Sequence, residues 1–347
     1  MSEMLRARTI LAGCVTALAL AACGGGGGDS PAPSAPPSGN APPPGTTTPD
    51  PLTPAPPVAG APALTGDIAL DGRAWLNFRR SQVGMSTLSH STVIDIAAQG
   101  HSEYQSINDI ISHEQIAERD GRPVEGFIGR TLADRLAYAG YVFNTSAARA
   151  YGEVISAASN NSGQYMAEEL ITAVYHRFVI FEPVFKEIGT GAATSSTGRS
   201  YFTANFTANN GYGTGLARGQ VAVWPFDAQT GVPRDFYSDT ESPDPVRKIE
   251  KDGVTIRENL NRVGYPISVH ANINAPVTVL TFTVRPRGGN DLATQLLSNA
   301  TDEHTGRSSA AIIPLAPLVA GTTYDVTFAG TVDGTAVSRS WSFTTAR

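Results

Sequence analysis

Apolar residues are distributed along this chain in three successive textures. From Gly24 to about Pro62 there is glycine, proline, serine and threonine with almost nothing apolar enough to pack. Such a segment cannot offset its own ordering entropy, so a spacer is predicted, drawn towards extended polyproline II by its prolines. From Ile68 a helical period sets in. Leu76 to Leu88 reads as a helix broken at Gly84, and a second helix starts near Ser91 or Thr92. Thr92 with Asp95 fits a capping box, and Val93, Ala97, His101 and Tyr104 then share one core face. A third helix is predicted from about Ile128 to Ala139, with Leu132, Leu136 and Ala139 aligned and Gly140 as its stop. A fourth begins near Tyr165 and buries Met166, Leu170 and Val174. Ile188–Ala193 and Ser200–Ala208 flank a Ser-Ser-Thr-Gly turn and read as an antiparallel hairpin.

After Gly215 the helical period stops and alternation takes over. Val277–Val284 alternates well, and Tyr324, Val326 and Phe328 point to one face. Asp333-Gly334 supplies a tight hairpin turn, and Trp341 and Phe343 share a face of the last strand. Helices with a short sheet, followed by strands alone, predict an α/β (α+β) chain: an α-β-α sandwich, then a β-sandwich.

The ends add a destination. Arg6 and Arg8 precede an apolar run, Ile10 to Ala22, that is too short for a membrane span and reads as a secretory leader. Leu20-Ala21-Ala22-Cys23 resembles the bacterial lipoprotein processing box, which would make Cys23 a lipid anchor and the protein an outer-membrane lipoprotein, with Gly24 following it. The alternative is an ordinary leader cut after Ala22, leaving a free thiol or a secreted chain. Cys14 lies inside the leader, so the mature chain has no cysteine pair and must be held by burial. The divisions are 1–22 leader, 23–66 linker, 67–214 first domain and 215–347 β region. With 347 residues there is length for two cores, and a net charge of −6 without basic clusters argues against nucleic acid as a partner.

Three segments carry chemistry: Ile-Ser-His ending at His113, Tyr-Gly-Glu-Val-Ile-Ser around Glu153, and Val-Tyr-His-Arg around His176. Two imidazoles and a carboxylate converging on one pocket would suit zinc or a similar divalent cation in an open three-ligand site, or a polar ligand. Equally, two interior histidines and a glutamate can simply satisfy one another, and spacing by itself favours that. His101 reads as a hydrogen-bonded core residue; His90, His270 and His304 receive no role. Arg177 could pair with Glu153 at the pocket rim. No Gly-x-Ser-x-Gly elbow accompanies Ser112, and the glycine run from Gly24 opens no helix, so neither a hydrolytic triad nor a phosphate loop is indicated.

Taken together, LNFRRSQVGMSTL, IAAQGHSEYQ, ISHEQ, RLAYAGY, YGEVIS, AVYHRFVIFEP, IGTGAA and YFTANF resemble, in order, the bacterial branch of the CAP superfamily of cysteine-rich secretory proteins, antigen five and pathogenesis-related proteins. The resemblance spans about Ile68 to Asn210 and implies an α-β-α sandwich with a cavity holding His113, Glu153 and His176. It further implies that this cavity binds a divalent metal or, in an adjacent groove, a sterol or fatty acid. The chain departs from the family at Val154, where an asparagine is usual, and lacks the Trp and Ser-Pro-Gly that precede the second histidine. The β region looks like the immunoglobulin-like modules of bacterial surface proteins. The resulting expectation is an exported lipoprotein that binds a small lipid, sterol or envelope ligand. A metal-assisted hydrolase, with Glu153 as general base, and an adhesive module with a vestigial cavity are the alternatives.

Overall fold

The computed structural model describes residues 60–246, 250–251, 254–255 and 261–347. The leader, Cys23 and the spacer up to residue 59 lie outside the described residues. Among the described residues no helix is long and apolar enough to cross a membrane.

Five helices and a four-stranded sheet make the first part. The helices are α1 Ile68–Gln82, α2 Thr92–Asn108, α3 Leu132–Tyr138, α4 Gly163–Thr172 and α5 Val174–Ile180. The strands are β1 Ser89–His90, β2 Ala150–Ala158, β3 Glu187–Thr194 and β4 Ser200–Ala208, in the order β1-β3-β4-β2. Only β1 runs parallel to its neighbour.

The caps explain where the helices start. Asp67, Ser91, Thr131 and Ser162 each accept a backbone N–H of the first turn. The second helix is therefore capped by Ser91 and not by a Thr92–Asp95 box; Asp95 instead accepts the Thr190 amide and contacts His90. The true capping box is Thr131–Asp134, which starts α3 four residues later than the apolar pattern suggested. The first helix begins earlier than Leu76 and ends before Gly84, whose φ of +75° favours glycine. The long fourth helix is two: Ala173, at ψ 119°, turns the chain between α4 and α5.

Strand alternation sorts the layers. Val154, Phe202, Ala204 and Phe206 pack with Trp75, Leu76, Met166 and Leu170 in one core. On the other face α2 lies so close that a Cβ at Gly191 would sit 2.2 Å from the Gln99 amide nitrogen. Glycine is the residue that lets this helix approach the sheet. The architecture is thus the expected α-β-α sandwich, with α1, α4 and α5 on one face and α2 and α3 on the other.

Besides three short two-stranded pairs among the described residues, eight further strands follow: β5 Ala222–Trp224, β6 Gln229–Val232, β7 Ile267–His270, β8 Val277–Pro286, β9 Thr294–Ser298, β10 Ser309–Pro314, β11 Thr323–Val332 and β12 Thr335–Thr345. They form two four-stranded sheets, β9-β10-β7-β5 and β8-β11-β12-β6. Asp333 and Gly334, at φ +49° and +72°, make the two-residue turn of the last hairpin. Tyr324, Val326, Phe328, Trp341 and Phe343 are buried together as their alternation required.

The two parts do not have separate cores. One apolar cluster runs from Trp75 and Phe181 through Trp224 and Ile267 to Phe343. Buried Arg177 donates to the Ile171 and Thr172 carbonyls on one side of the seam and to the Pro266 carbonyl and Ser268 Oγ on the other. Its partner is therefore not Glu153.

Candidate functional site

Strand β2 places Gly152 and Glu153 on opposite faces of the sheet, because successive strand residues alternate. A Cβ on Gly152 would meet Val179 of α5 at 2.7 Å, whereas Glu153 projects towards α2 and α3. There its carboxylate accepts two N–H bonds from Arg135 Nη2, at 2.8 and 2.7 Å, and contacts His113 Nδ1 at 3.0 Å. His101 Nε2 lies 3.7 Å away. The Arg135 and Glu153 side chains are 0% and 4% exposed, while His113 is 48% exposed. The cluster has a sealed base and an open lip.

The sealed part is densely hydrogen-bonded, although Arg135 Nε and the side-chain amide of Asn205, opposite Glu153 on the neighbouring strand, find no partner among the described residues. His101 Nε2 lies 2.9 Å from the Ser112 carbonyl, and His101 Nδ1 lies 3.1 Å from Gln115 Nε2. A carbonyl only accepts and an amide nitrogen only donates, so the proton sits on Nε2 and the ring is neutral. Burial above all, with Arg135 and His113 adding to it against the pull of Glu153, lowers His101 to about 4. Gln115 Oε1 in turn accepts the Ile128 amide. Arg135 Nη1 donates to the His113 and Arg130 carbonyls and so pins the backbone that carries His113. For Glu153, burial alone would raise the carboxyl; the Arg135 guanidinium, with His101 and His113, outweighs it and holds the group well below the usual carboxylate range.

His113 and Glu153 are thus brought together and His176 is not. His176 rides on α5, on the Gly152 face of the sheet. Its Nδ1 lies 3.1 Å from Glu241 Oε1, and the same carboxylate accepts the Val174, Tyr175 and His176 amides. The broken helix explains this. Ala173 offers no side-chain cap, and Glu241 from the β region supplies one across the seam. Glu169, seven residues before His176, would lie about 10.5 Å from it along an unbroken helix; the break at Ala173 removes that geometry as well.

A divalent cation does not fit these donors as they stand. Glu153 is taken by a buried guanidinium that would repel a cation, both His101 nitrogens are engaged, and His176 belongs to another contact. Among the described residues no group of three or more His, Cys, Asp or Glu is arranged to hold a metal ion. The residue that sequence reasoning missed is Arg135. Its signal was present: in RLAYAGY it lies three positions after Leu132, on the side of α3 that turns towards the sheet.

The first part is thus an α-β-α sandwich with a buried Arg-Glu-His cluster behind one half-exposed imidazole. Residues 75–206 match the model of the cysteine-rich secretory protein family, the CAP domain. The chain therefore contains a CAP domain, followed by a strand-rich region. Among solved structures it is similar to an extracellular protein containing an SCP domain from Bacillus anthracis, at 22% identity and a TM-score of 0.32, over 40% of this chain and 39% of that one. An outer surface protein of Borrelia burgdorferi aligns at 12% identity and a TM-score of 0.31, over 40% of this chain and 89% of its own. The chain spans about two fifths of the length of the Bacillus anthracis protein. No curated protein matches it.

Proposed function

We propose that this is an exported, lipid-anchored CAP-domain protein that binds a small lipid, sterol or other cell-envelope ligand at His113, without catalysing a reaction. One observation carries the reading: within the buried cluster, only His113 keeps a ring nitrogen, Nε2, uncommitted on a half-exposed ring. Glu153, Arg135 and His101 serve as the rigid support that orients this ring, as a preorganised polar anchor requires. Ile111 and Ile116, both exposed and close to His113 in the chain, offer apolar surface for the hydrocarbon part of such a ligand. Export and anchoring rest on the leader and Cys23, and the β region is read as an immunoglobulin-like module.

An imidazole oriented by a carboxylate is also half of a general base, but among the described residues no hydroxyl or thiol side chain hydrogen-bonds to His113. Native mass spectrometry of the purified chain should find a small co-purifying amphiphile that His113→Ala loses. Retention of the same cargo by that variant would overturn the assignment of the site. Turnover of ester or peptide substrates that disappears in Glu153→Gln would replace binding with hydrolysis.

A further inference from the structure

A second, chemically different cleft opens where the CAP layers meet the β region. It is a half-open depression of about 500 Å³ between the end of α1, the middle of α4 and the turn leading into β6, and its walls include Arg79, Gln82, Glu168, Phe226, Gln229 and Thr230. That volume lies within the range of small-molecule sites.

The charges in this cleft cancel. Arg79 donates through Nε and Nη2 to the two Glu168 oxygens at 2.9 and 2.8 Å, and through Nη1 to Gln82 Oε1 at 2.8 Å. Trp75 Nε1 donates to the same Glu168 at 2.7 Å. The guanidinium lies over the Trp75 and Trp224 rings, at 4.6 and 5.2 Å from their centroids. A cation held this way has no free charge to offer an anion, yet its plane and that of Glu168 are fixed.

What remains free is neutral. Gln82 and Gln229 each spend their carbonyl oxygen inside the protein, on Arg79 and on the Phe226 amide respectively; the NH₂ of partly exposed Gln82 is left as a donor to the cleft, while Gln229 is buried behind the turn it holds. Thr230 is exposed, and the partly exposed Phe226 ring, tilted against Trp224 at 5.8 Å, gives a flat apolar wall. One ring face with several fixed planar donors and acceptors, without net charge, is complementary to a ring that is apolar on its face and hydroxylated on its rim.

We propose that this cleft binds a neutral mono- or disaccharide unit of a glycan, independently of His113. The test is titration of the full chain with methyl glucoside, N-acetylglucosamine, maltose and cellobiose, followed by tryptophan fluorescence and by the side-chain amide signals of Gln82 and Gln229. At least one sugar should bind saturably at about millimolar affinity. Binding should be unaffected by salt, as expected of a neutral ligand, and unaffected by His113→Ala. Phe226→Ala should weaken it about tenfold and Gln82→Ala several-fold. Gln82 is only partly buried, so its variant tests the site even if Phe226→Ala disturbs the fold. The proposal is overturned by the absence of saturable binding, by affinity unchanged in Gln82→Ala, or by a preference for inorganic phosphate over every neutral sugar.

Discussion

Arg135→Met is the substitution that interrogates the CAP site most directly. It keeps the apolar stem of the side chain and removes the charge. With N···O distances of 2.7 and 2.8 Å between groups 0% and 4% exposed, the pair is worth about 6 kcal/mol of gross Coulomb attraction at an effective dielectric of about 20. Part of that is offset by the desolvation of both ions, and removing one partner of a buried pair typically costs about 3–5 kcal/mol because the other charge is stranded. Loss of the donor to the His113 carbonyl adds to the cost. The sign of the pH dependence discriminates further. In the native chain Glu153 titrates below its unfolded value, so its contribution is complete above the ordinary carboxylate range and is lost as pH falls. Without Arg135, burial dominates and the group moves upward, so its contribution is instead lost as pH rises. Urea unfolding of wild type and Arg135→Met at pH 4, 5.5 and 7 measures both effects, and Arg135→Met/Glu153→Met should recover most of the stability. A single variant that costs less than about 1 kcal/mol, or that keeps the native slope, would refute the argument that Glu153 depends on this guanidinium.

Three further outcomes follow from the same reasoning. His101 should titrate near 4 by NMR; since its folded value lies below the unfolded one, its contribution is complete above about 6.5 and falls away towards pH 4, by up to about 3 kcal/mol, and His101→Asn should remove that slope. Glu182 is pushed up to about 7, chiefly by burial and against the Val184 and Ile273 amides and Arg80, so the opposite holds: its contribution is complete below the unfolded value near 4.5 and is lost as pH rises through 7. Glu182→Gln, which still accepts both amides, should flatten the urea midpoint between pH 5 and 8. Glu241→Ala strips α5 of the acceptor for three amides and should cost about 2–4 kcal/mol in urea unfolding, whereas His176→Ala should cost about 1 kcal/mol or less. Equal effects of the two variants would mean that the cap is not what holds the helix.

The layers of the CAP part were legible because their signals are local. Apolar residues at helical spacing, caps within a few residues of each start, and an alternating hairpin each state their structure without reference to the rest of the chain. The site was legible by half for the same reason. His113 and Glu153 lie in segments whose order and register a resemblance can carry over. Which face of the sheet Glu153 takes, however, depends on a strand register set across β4, and which carboxylate meets His176 depends on a residue far along the chain. The assignment of Arg177 to Glu153 failed similarly: two arginines of like burial compete on opposite faces of one sheet, and only the fold decides between them. Gly163 shows another limit, since a Cβ there would sit 2.1 Å from the Ile68 carbonyl oxygen, a constraint on how α4 crosses α1 that no period announces.

The seam changes what any dissection of this protein can mean. If the β region alone carried function, deleting residues 216–347 would be the natural experiment, because a free-standing CAP sandwich would survive it. That deletion removes Trp224 from against Phe181, the Ser268 hydroxyl and Pro266 carbonyl from buried Arg177, and the Glu241 cap from α5. It leaves Arg177 Nη1 and three helix N–H groups without the partners they have in the intact chain, each of which carries a desolvation cost of its own. The sum is comparable with the whole stability of an ordinary domain, so a truncated chain that loses binding reports unfolding and not the location of a ligand. An adhesive role for the β region is therefore separable from a CAP-site role only by surface substitutions that leave the seam intact: His113→Ala on one side, and Gln82→Ala or Thr230→Ala in the cleft on the other.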